Sequence, residues 1–452
     1  MTRQAQPTRQ PRERAFMVGV ALGREPDSLP LDASLRELAL LARTAGLEVV
    51  GYATQNLNHP DSKTFIGSGK LEEVKALAGD QLADLIVFDD ELSPRHQREL
   101  EKAIGDEIRV IDRTALILDI FAQHAQTREG GLQVELAQYE YRLPRLTRAW
   151  THLARQAGGG GGRSGSVGGV GLRGPGETQL EVDRREIGRR ITHLKEELEA
   201  VRAHRGRYRA QRRRAKVPTV ALVGYTNAGK STLLNQLTDA DVLVADLLFA
   251  TLDPTTRRLE LPGGQQALVT DTVGFIQKLP TMLVAAFRAT LEEIVEADLL
   301  LHVVDITHAQ YQAQAESVHL TLEEIGAGQV PLVTALNKID LLPEARLAYE
   351  AVDDFDRAVP VSAMTGQGVP ALLATLEQVL VESLVRLSVW IPYAQGSLIN
   401  HFHEVCQVEA VDHGPEHVHL RGRAPAQFAA DFARFAIEPG AQPPAAEPSS
   451  VE

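Results

Sequence analysis

The chain has 452 residues, 44% of them hydrophobic, a formal net charge of −13 and a single cysteine, Cys406. That length exceeds what one compact core serves and points to three or four domains. One cysteine excludes a disulfide within the chain and fits a reducing cytoplasm, while the absence of any apolar stretch near the roughly 20 residues of a membrane span limits membrane contact to a peripheral kind.

Residues 1–115 open with a polar, arginine-bearing stretch that lacks the apolar centre of a signal peptide. Short apolar runs at 16–22, 48–53, 84–88 and 109–111 then alternate with helical patterns such as 34–44 and 94–103, the signature of a small parallel α/β domain. Gly67-Ser-Gly69-Lys70 imitates a phosphate loop, but Thr64 stands where the first glycine belongs and Leu71 where the hydroxyl belongs, so it is read as a basic turn.

Residues 116–216 carry two helical seams. Leu132, Leu136, Tyr139, Leu143, Leu146, Trp150 and Leu153 step by four and three, with Pro144 expected to kink the helix. Ile187, Ile191, Leu194, Leu198 and Val201 repeat the rhythm, close enough in sequence to pair as an antiparallel hairpin within one monomer rather than as a homodimeric coiled coil. From Arg142 to Lys216 nineteen Arg/Lys face seven Asp/Glu, a local balance of +12 that closes on Arg205, Arg207, Arg209, Arg212, Arg213, Arg214 and Lys216. Such a cluster releases counterions on meeting a phosphate backbone. Between the seams, residues 157–176 hold eleven glycines, Arg163 and Arg173 and no acid, a composition that suits threading into a narrow anionic cavity.

Residues 217–384 carry the chemistry. After an apolar run, Gly224-Tyr225-Thr226-Asn227-Ala228-Gly229-Lys230-Ser231 opens a helical stretch, a phosphate loop in its required setting. Its backbone N–H groups converge on α- and β-phosphates, Lys230 neutralises β/γ oxygens and the Ser231 hydroxyl enters a Mg²⁺ shell. Phe249-Ala250-Thr251-Leu252-Asp253 lies where a first switch belongs, with Thr251 the expected second Mg²⁺ hydroxyl and Thr255 and Thr256 as alternatives. Asp271-Thr272-Val273-Gly274 ends a strand; Asp271 is expected to hold Mg²⁺ through water and the Gly274 N–H to sense the γ-phosphate. Further strands at 300–304 and 331–336 lead to Asn337-Lys338-Ile339-Asp340, whose Asp340 carboxylate matches the N1–H and N2–H₂ donors of guanine, and Ser362-Ala363-Met364 is expected to meet O6. Asp298 and Asp305 are read as structural acids. The order and spacing of these elements resemble the translation-factor-related class of GTPases, with Lys230, Thr251 and Gly274 as the groups on the reacting phosphate.

Phe275 follows Gly274 where a water-orienting glutamine often sits, so intrinsic hydrolysis is expected to be slow, with a partner or a monovalent cation supplying the missing group. Asn227 resembles the asparagine that ligates K⁺ in cation-assisted relatives; the alternative is that it braces the turn. Residues 385–438 read as a small α+β domain, with strands at 388–392 and 418–421 and helices at 397–404 and 425–435, followed by a Pro/Ala tail over 439–452. His401, His403, His417 and His419 lack a closed metal-site spacing and are read as surface histidines.

Together, Asp112-Arg-Thr-Ala-Leu-Ile-Leu-Asp119, Leu132-Gln-Val-Glu-Leu-Ala-Gln138, Leu143-Pro-Arg-Leu146, Gly174-Pro-Gly-Glu-Thr178-Gln-Leu-Glu181 and the phosphate loop resemble the HflX family of ribosome-associated GTPases, from about residue 15 to 437. The resemblance implies binding to the large ribosomal subunit and its rRNA, GTP-dependent separation of stalled ribosomes and a loop of the helical region reaching toward the peptidyl transferase centre. The glycine-rich loop here is longer than the usual pattern. The competing expectation is a regulatory adaptor whose GTP state governs binding to a protein partner such as a membrane protease.

Overall fold

The computed structural model describes residues 12–23, 30–146, 179–214, 217–238, 248–249, 252–278, 288–344, 346–382 and 384–436. The expected glycine-rich loop 157–176, Trp150, Leu153, Lys216, Ala250, Thr251 and the tail 439–452 lie outside them, as do the side chains of the arginine cluster from Arg205 to Arg214.

Four parallel strands, β1 (Arg14–Leu22), β2 (Glu48–Leu57), β3 (Leu85–Phe88) and β4 (Arg109–Asp112), form a sheet in the order β2-β1-β3-β4. Helices α1 (Leu31–Thr44), α2 (Ser68–Asp80) and α3 (Pro94–Ile104) connect them, and α4 (Arg113–His124) follows. Covered on both faces, β1 is apolar along almost its whole length, as a parallel strand must be. Gly67 to Lys70 is no free turn: Gly67 caps α2, whose first residues include Ser68 and Lys70, and Lys70 pairs with Glu73 at 2.8 Å. Asp112 ends β4 and caps α4 by accepting from the Ala115 N–H at 2.9 Å.

Helix α5 (Arg128–Arg142) and the 36-residue α6 (Gln179–Arg214) meet along the expected seam, Leu132 and Leu136 against Leu194 and Leu198, with Tyr139 and Ile191 packed alongside. Arg128 pairs with Glu197 and Glu135 with Arg190, so the two helices run antiparallel. Pro144 does not kink α5 but ends it. The helix stops at Arg142 and the chain makes one 3₁₀ turn, Leu143–Arg145, because the proline ring blocks the preceding carbonyl and donates no N–H.

The central sheet has six strands in the order β10-β9-β8-β5-β7-β6. They are β5 (Thr219–Gly224), β6 (Thr255–Glu260), β7 (Gln266–Asp271), β8 (Leu299–Asp305), β9 (Leu332–Asn337) and β10 (Ala358–Pro360), all parallel except for the β6/β7 pair. Around them lie α7 (Lys230–Thr238), α8 (Arg288–Val295), α9 (Tyr311–Glu324), α10 (Arg346–Glu350) and α11 (Val369–Glu382). The chain then forms an antiparallel sheet, β11 (Leu384–Pro392), β12 (Gln407–His413) and β13 (His417–Pro425) in the order β11-β13-β12, with α12 (Gly396–Val405) and α13 (Ala426–Phe432) seated on its apolar face through Phe402 and Phe432. Sequence patterning missed β6, β10 and β12, all edge strands; charged residues obscure the alternation of β6 and β12, and β10 is only three residues long. The whole is a multidomain α/β protein.

One apolar cluster crosses three of these regions. Leu38 and Leu41 of α1, Ile117 and Phe121 of α4 and Ala137 of α5 share it with Val223, Tyr225, Phe249, Phe275 and Ile294 around the central sheet. None of the described helices is long and apolar enough to cross a membrane.

Candidate nucleotide site

β5 lies between β7 and β8, where the order of strand connections reverses, so a crevice opens past its carboxyl end. Gly224 (φ 149°) and Gly229 (φ 96°) adopt backbone that side chains disfavour, and a Cβ on either would collide, with the Val303 carbonyl and the Asn337 amide respectively. Between them Asn227 sits at φ 60°, a left-handed position asparagine tolerates, with its side chain exposed at the mouth of the loop. The Asn337 side chain braces the loop rather than reaching outward: its Nδ2 donates to the Ala228 carbonyl at 2.8 Å and its Oδ1 accepts from the Ala363 N–H at 2.9 Å.

Lys230 is buried, its Nζ donating to the carbonyls of Gly224 (3.0 Å) and Tyr225 (2.8 Å). A Cβ on Gly274 would lie 3.0 Å from that Nζ, which puts the Gly274 backbone beside the ammonium. The Ser231 hydroxyl donates to Asp271 at 2.7 Å, so two hard oxygen donors converge next to Lys230, a donor set that fits Mg²⁺. Thr272 is buried with its hydroxyl on the Leu222 carbonyl, and Val273 is buried behind it. The Thr226 N–H donates to the Phe275 carbonyl at 2.8 Å and the Phe275 N–H to the Gly224 carbonyl at 3.0 Å, zipping this segment onto the phosphate loop.

On the base side Lys338 takes a left-handed conformation (φ 67°) and pairs with Asp305 at 2.6 Å, leaving Asp340 exposed on the 3₁₀ turn Ile339–Leu341. Ser362 is buried, its hydroxyl accepting from the Thr365 N–H, while Met364 is 75% exposed. Asp298 accepts from Thr219 and Asp305 caps Thr307, structural tasks both.

The first switch departs from expectation in its neighbours. Phe249 and Leu252 are buried in the shared apolar cluster, Phe249 edge-on to Phe121 at 4.7 Å, so their side chains face α4 rather than a ligand. Asp253 accepts from the N–H groups of Gln126 and Thr127. The alternatives Thr255 and Thr256 belong to β6, opposite Asp271 and Thr270, with the Thr256 hydroxyl bonded to that of Thr270.

Three family profiles match this chain: "GTP-binding GTPase N-terminal" over residues 32–122, "GTP-binding GTPase Middle Region" over 124–212 and "50S ribosome-binding GTPase" over 219–338. It is 48% identical to GTPase HflX of Alkalihalophilus pseudofirmus across 81% of this chain and 83% of that protein, and 43% identical to GTPase HflX of Caldanaerobacter subterraneus across 94% of each. The chain belongs to the HflX family of GTPases. As an HflX-family protein it binds and hydrolyses GTP. A GTP-binding protein from Sulfolobus solfataricus, solved with GDP, is similar at a TM-score of 0.40 and 23% identity, over 82% of this chain and 99% of its own.

Sequence reasoning missed what stands behind the phosphate loop of this HflX-family GTPase. The Tyr225 side chain turns away from the loop, donates to Glu37 and accepts from the Gln277 N–H at 2.9 Å; burial raises its pKa to about 12. Glu37 also pairs with Arg113, which is fully buried and bonded to Asp89 at 2.8 Å, while Lys278 reaches Asp89 (2.7 Å) and Asp90 (2.6 Å). A buried charge persists only when paired. The signal available in sequence was Arg113 itself, a charge set directly before the apolar positions of α4. The four histidines do not assemble a metal set: among the described residues no group of three or more His, Cys, Asp or Glu side chains is placed to hold one, and His419 stacks on Trp390.

Burial pulls the Lys230 pKa down to about 8, with Asp271 opposing the shift. Because phosphate needs the charged form, a nucleotide binding above that pH must bring a proton with it. GDP affinity is therefore expected to weaken by up to about tenfold per unit above pH 8. Calorimetry at pH 8.5 in buffers of different ionisation heat checks this, and binding without proton uptake contradicts it.

Proposed function

We propose that this HflX-family GTPase is a GTP-driven switch that binds the large ribosomal subunit through the α5/α6 hairpin and separates stalled ribosomes. The observation that carries the reading is the seat of that hairpin: α6 lies in the segment of local charge +12 and packs on α5, whose Ala137 shares the apolar cluster of Tyr225 and Phe275 beside the nucleotide site. Ribosomal RNA presents phosphate and shape, which a basic helical surface suits.

In this reading the amides of Gly224 to Ser231 cradle the phosphates, and the Gly274 N–H reads the γ-phosphate. Ser231 and Thr251 would hold Mg²⁺, with Asp271 acting through water, and the ion would supply charge neutralisation at the phosphates. Lys230 leaves its two carbonyl partners for the phosphate oxygens. Asp340 selects guanine, Lys338 and Ile339 line the base, and the backbone from Ser362 to Met364 meets O6. Asn227 holds K⁺ at the loop's mouth. Regions dividing near residues 115, 216, 384 and 438 give the switch its sensing, binding and terminal parts.

Sedimentation with separated ribosomal subunits tests this. The chain is expected to travel with the large subunit under a non-hydrolysable GTP analogue and far less under GDP, with steep release as salt rises. Co-sedimentation with neither subunit overturns the reading in favour of a protein-binding adaptor.

A further inference from the structure

We infer that Asp253 is a positioning residue that ties the switch segment carrying Thr251 to the N-terminus of α5, so that segment and hairpin shift together between the GDP and GTP states. Its carboxylate bridges two regions of the fold. One oxygen accepts from the backbone N–H groups of Gln126 (2.9 Å) and Thr127 (2.8 Å), and the other accepts the Thr127 hydroxyl. Thr127 is the N-cap of α5, and its hydroxyl in turn accepts from the Gly130 N–H at 3.0 Å. Charge-assisted bonds from N–H groups at the positive end of a helix are the strong kind and set direction as well as distance.

Gly130 gives independent support. It is buried within α5 with helical backbone, where glycine is the weakest helix former short of proline, yet a Cβ there would collide with the Asp253 carboxylate. The glycine is thus explained by the close approach of Asp253. Phe249 on Phe121 and Leu252 in the shared cluster hold the same segment from its other side, so the residues flanking Thr251 are fastened to α4 and α5. From α5 the path continues into α6 through Leu132, Leu136, Leu194 and Leu198. Coupling of this kind is reciprocal: a polyanion seated on the hairpin presses on the switch segment as strongly as nucleotide presses on the hairpin.

The inference rests on the reading of residues 249–253 as a nucleotide-sensing segment, and its test separates the two. In the full chain, Ala200→Cys on α6 and Ala374→Cys on α11 are exposed sites for spin labels, Cys406 being buried. The label-to-label distance is expected to differ between GDP and a non-hydrolysable GTP analogue. Gly130→Ala and Thr127→Val each remove that difference with the affinity for both nucleotides unchanged, and Thr127→Ser, which keeps the hydroxyl, restores it. A distance change that survives both Gly130→Ala and Thr127→Val overturns the inference, as does a native chain that binds both nucleotides without any change. Failure to bind either nucleotide removes the reading of the site, and the inference with it.

Discussion

Asp340→Asn is expected to lower affinity for GTP and GDP by about 10³ or more while leaving the fold intact. In the proposed reading the carboxylate accepts two hydrogen bonds from the guanine edge, and an amide of the same shape would offer a donor at one of those positions, so that one pair would become a repulsion. Asp340 is exposed on a short turn, and the left-handed Lys338 before it is held by Asp305, so the exchange disturbs no packing. The complementary result follows from the same geometry. Xanthine carries a carbonyl where guanine carries its amino group, so xanthosine nucleotides gain affinity as guanosine nucleotides lose it. Competition against a fluorescent GDP measures both, and an unchanged guanine preference in the variant removes Asp340 from base selection.

The second large effect concerns the water that attacks the γ-phosphate. Phe275 is 2% exposed, its backbone is bonded to Gly224 and Thr226, and its ring lies in the apolar cluster shared with Phe121 and Phe249. A phenylalanine held there cannot orient water, so turnover of the isolated protein is expected to be slow. Large ribosomal subunits are expected to raise it by at least about 10², and K⁺ to exceed Na⁺, because a missing polarising group of this kind is worth about 10³ to 10⁵ when supplied. Phe275→Gln does not rescue the rate, since it buries an amide at a cost of about 1–3 kcal/mol. Steady-state phosphate release in the two salts, with and without subunits, decides the matter: equal rates in all four conditions dispose of the idea.

The nucleotide loop was legible because its physics is local. Glycines at forced backbone angles, a lysine and a hydroxyl must be consecutive, and the strand before Gly224 and the helix from Lys230 announce themselves by period. The seams of α5 and α6 were legible for the same reason, and Pro144 was read as a kink because a seam continues past it, whereas the ring ends the helix. What sequence concealed is long-range. Nothing local to Glu37, Asp89 or Lys278 says that they meet, because each bond spans many tens of residues. Asp253 stands in a segment whose sequence marks it only as a first switch, since its partner, the start of α5, lies 126 positions away.

The apolar cluster shared by α1, α4, α5 and the central sheet carries a cost at birth. During synthesis the first half of the chain emerges with Leu38, Leu41 and Phe121 lacking the strands and loops that will later seal them, and remains an unfinished surface until Ala327, the last buried member of the cluster, has been made. Until then the nascent protein is adhesive, and the residues proposed to choose the base, Asp340 and Ser362 to Met364, follow only after that surface can close.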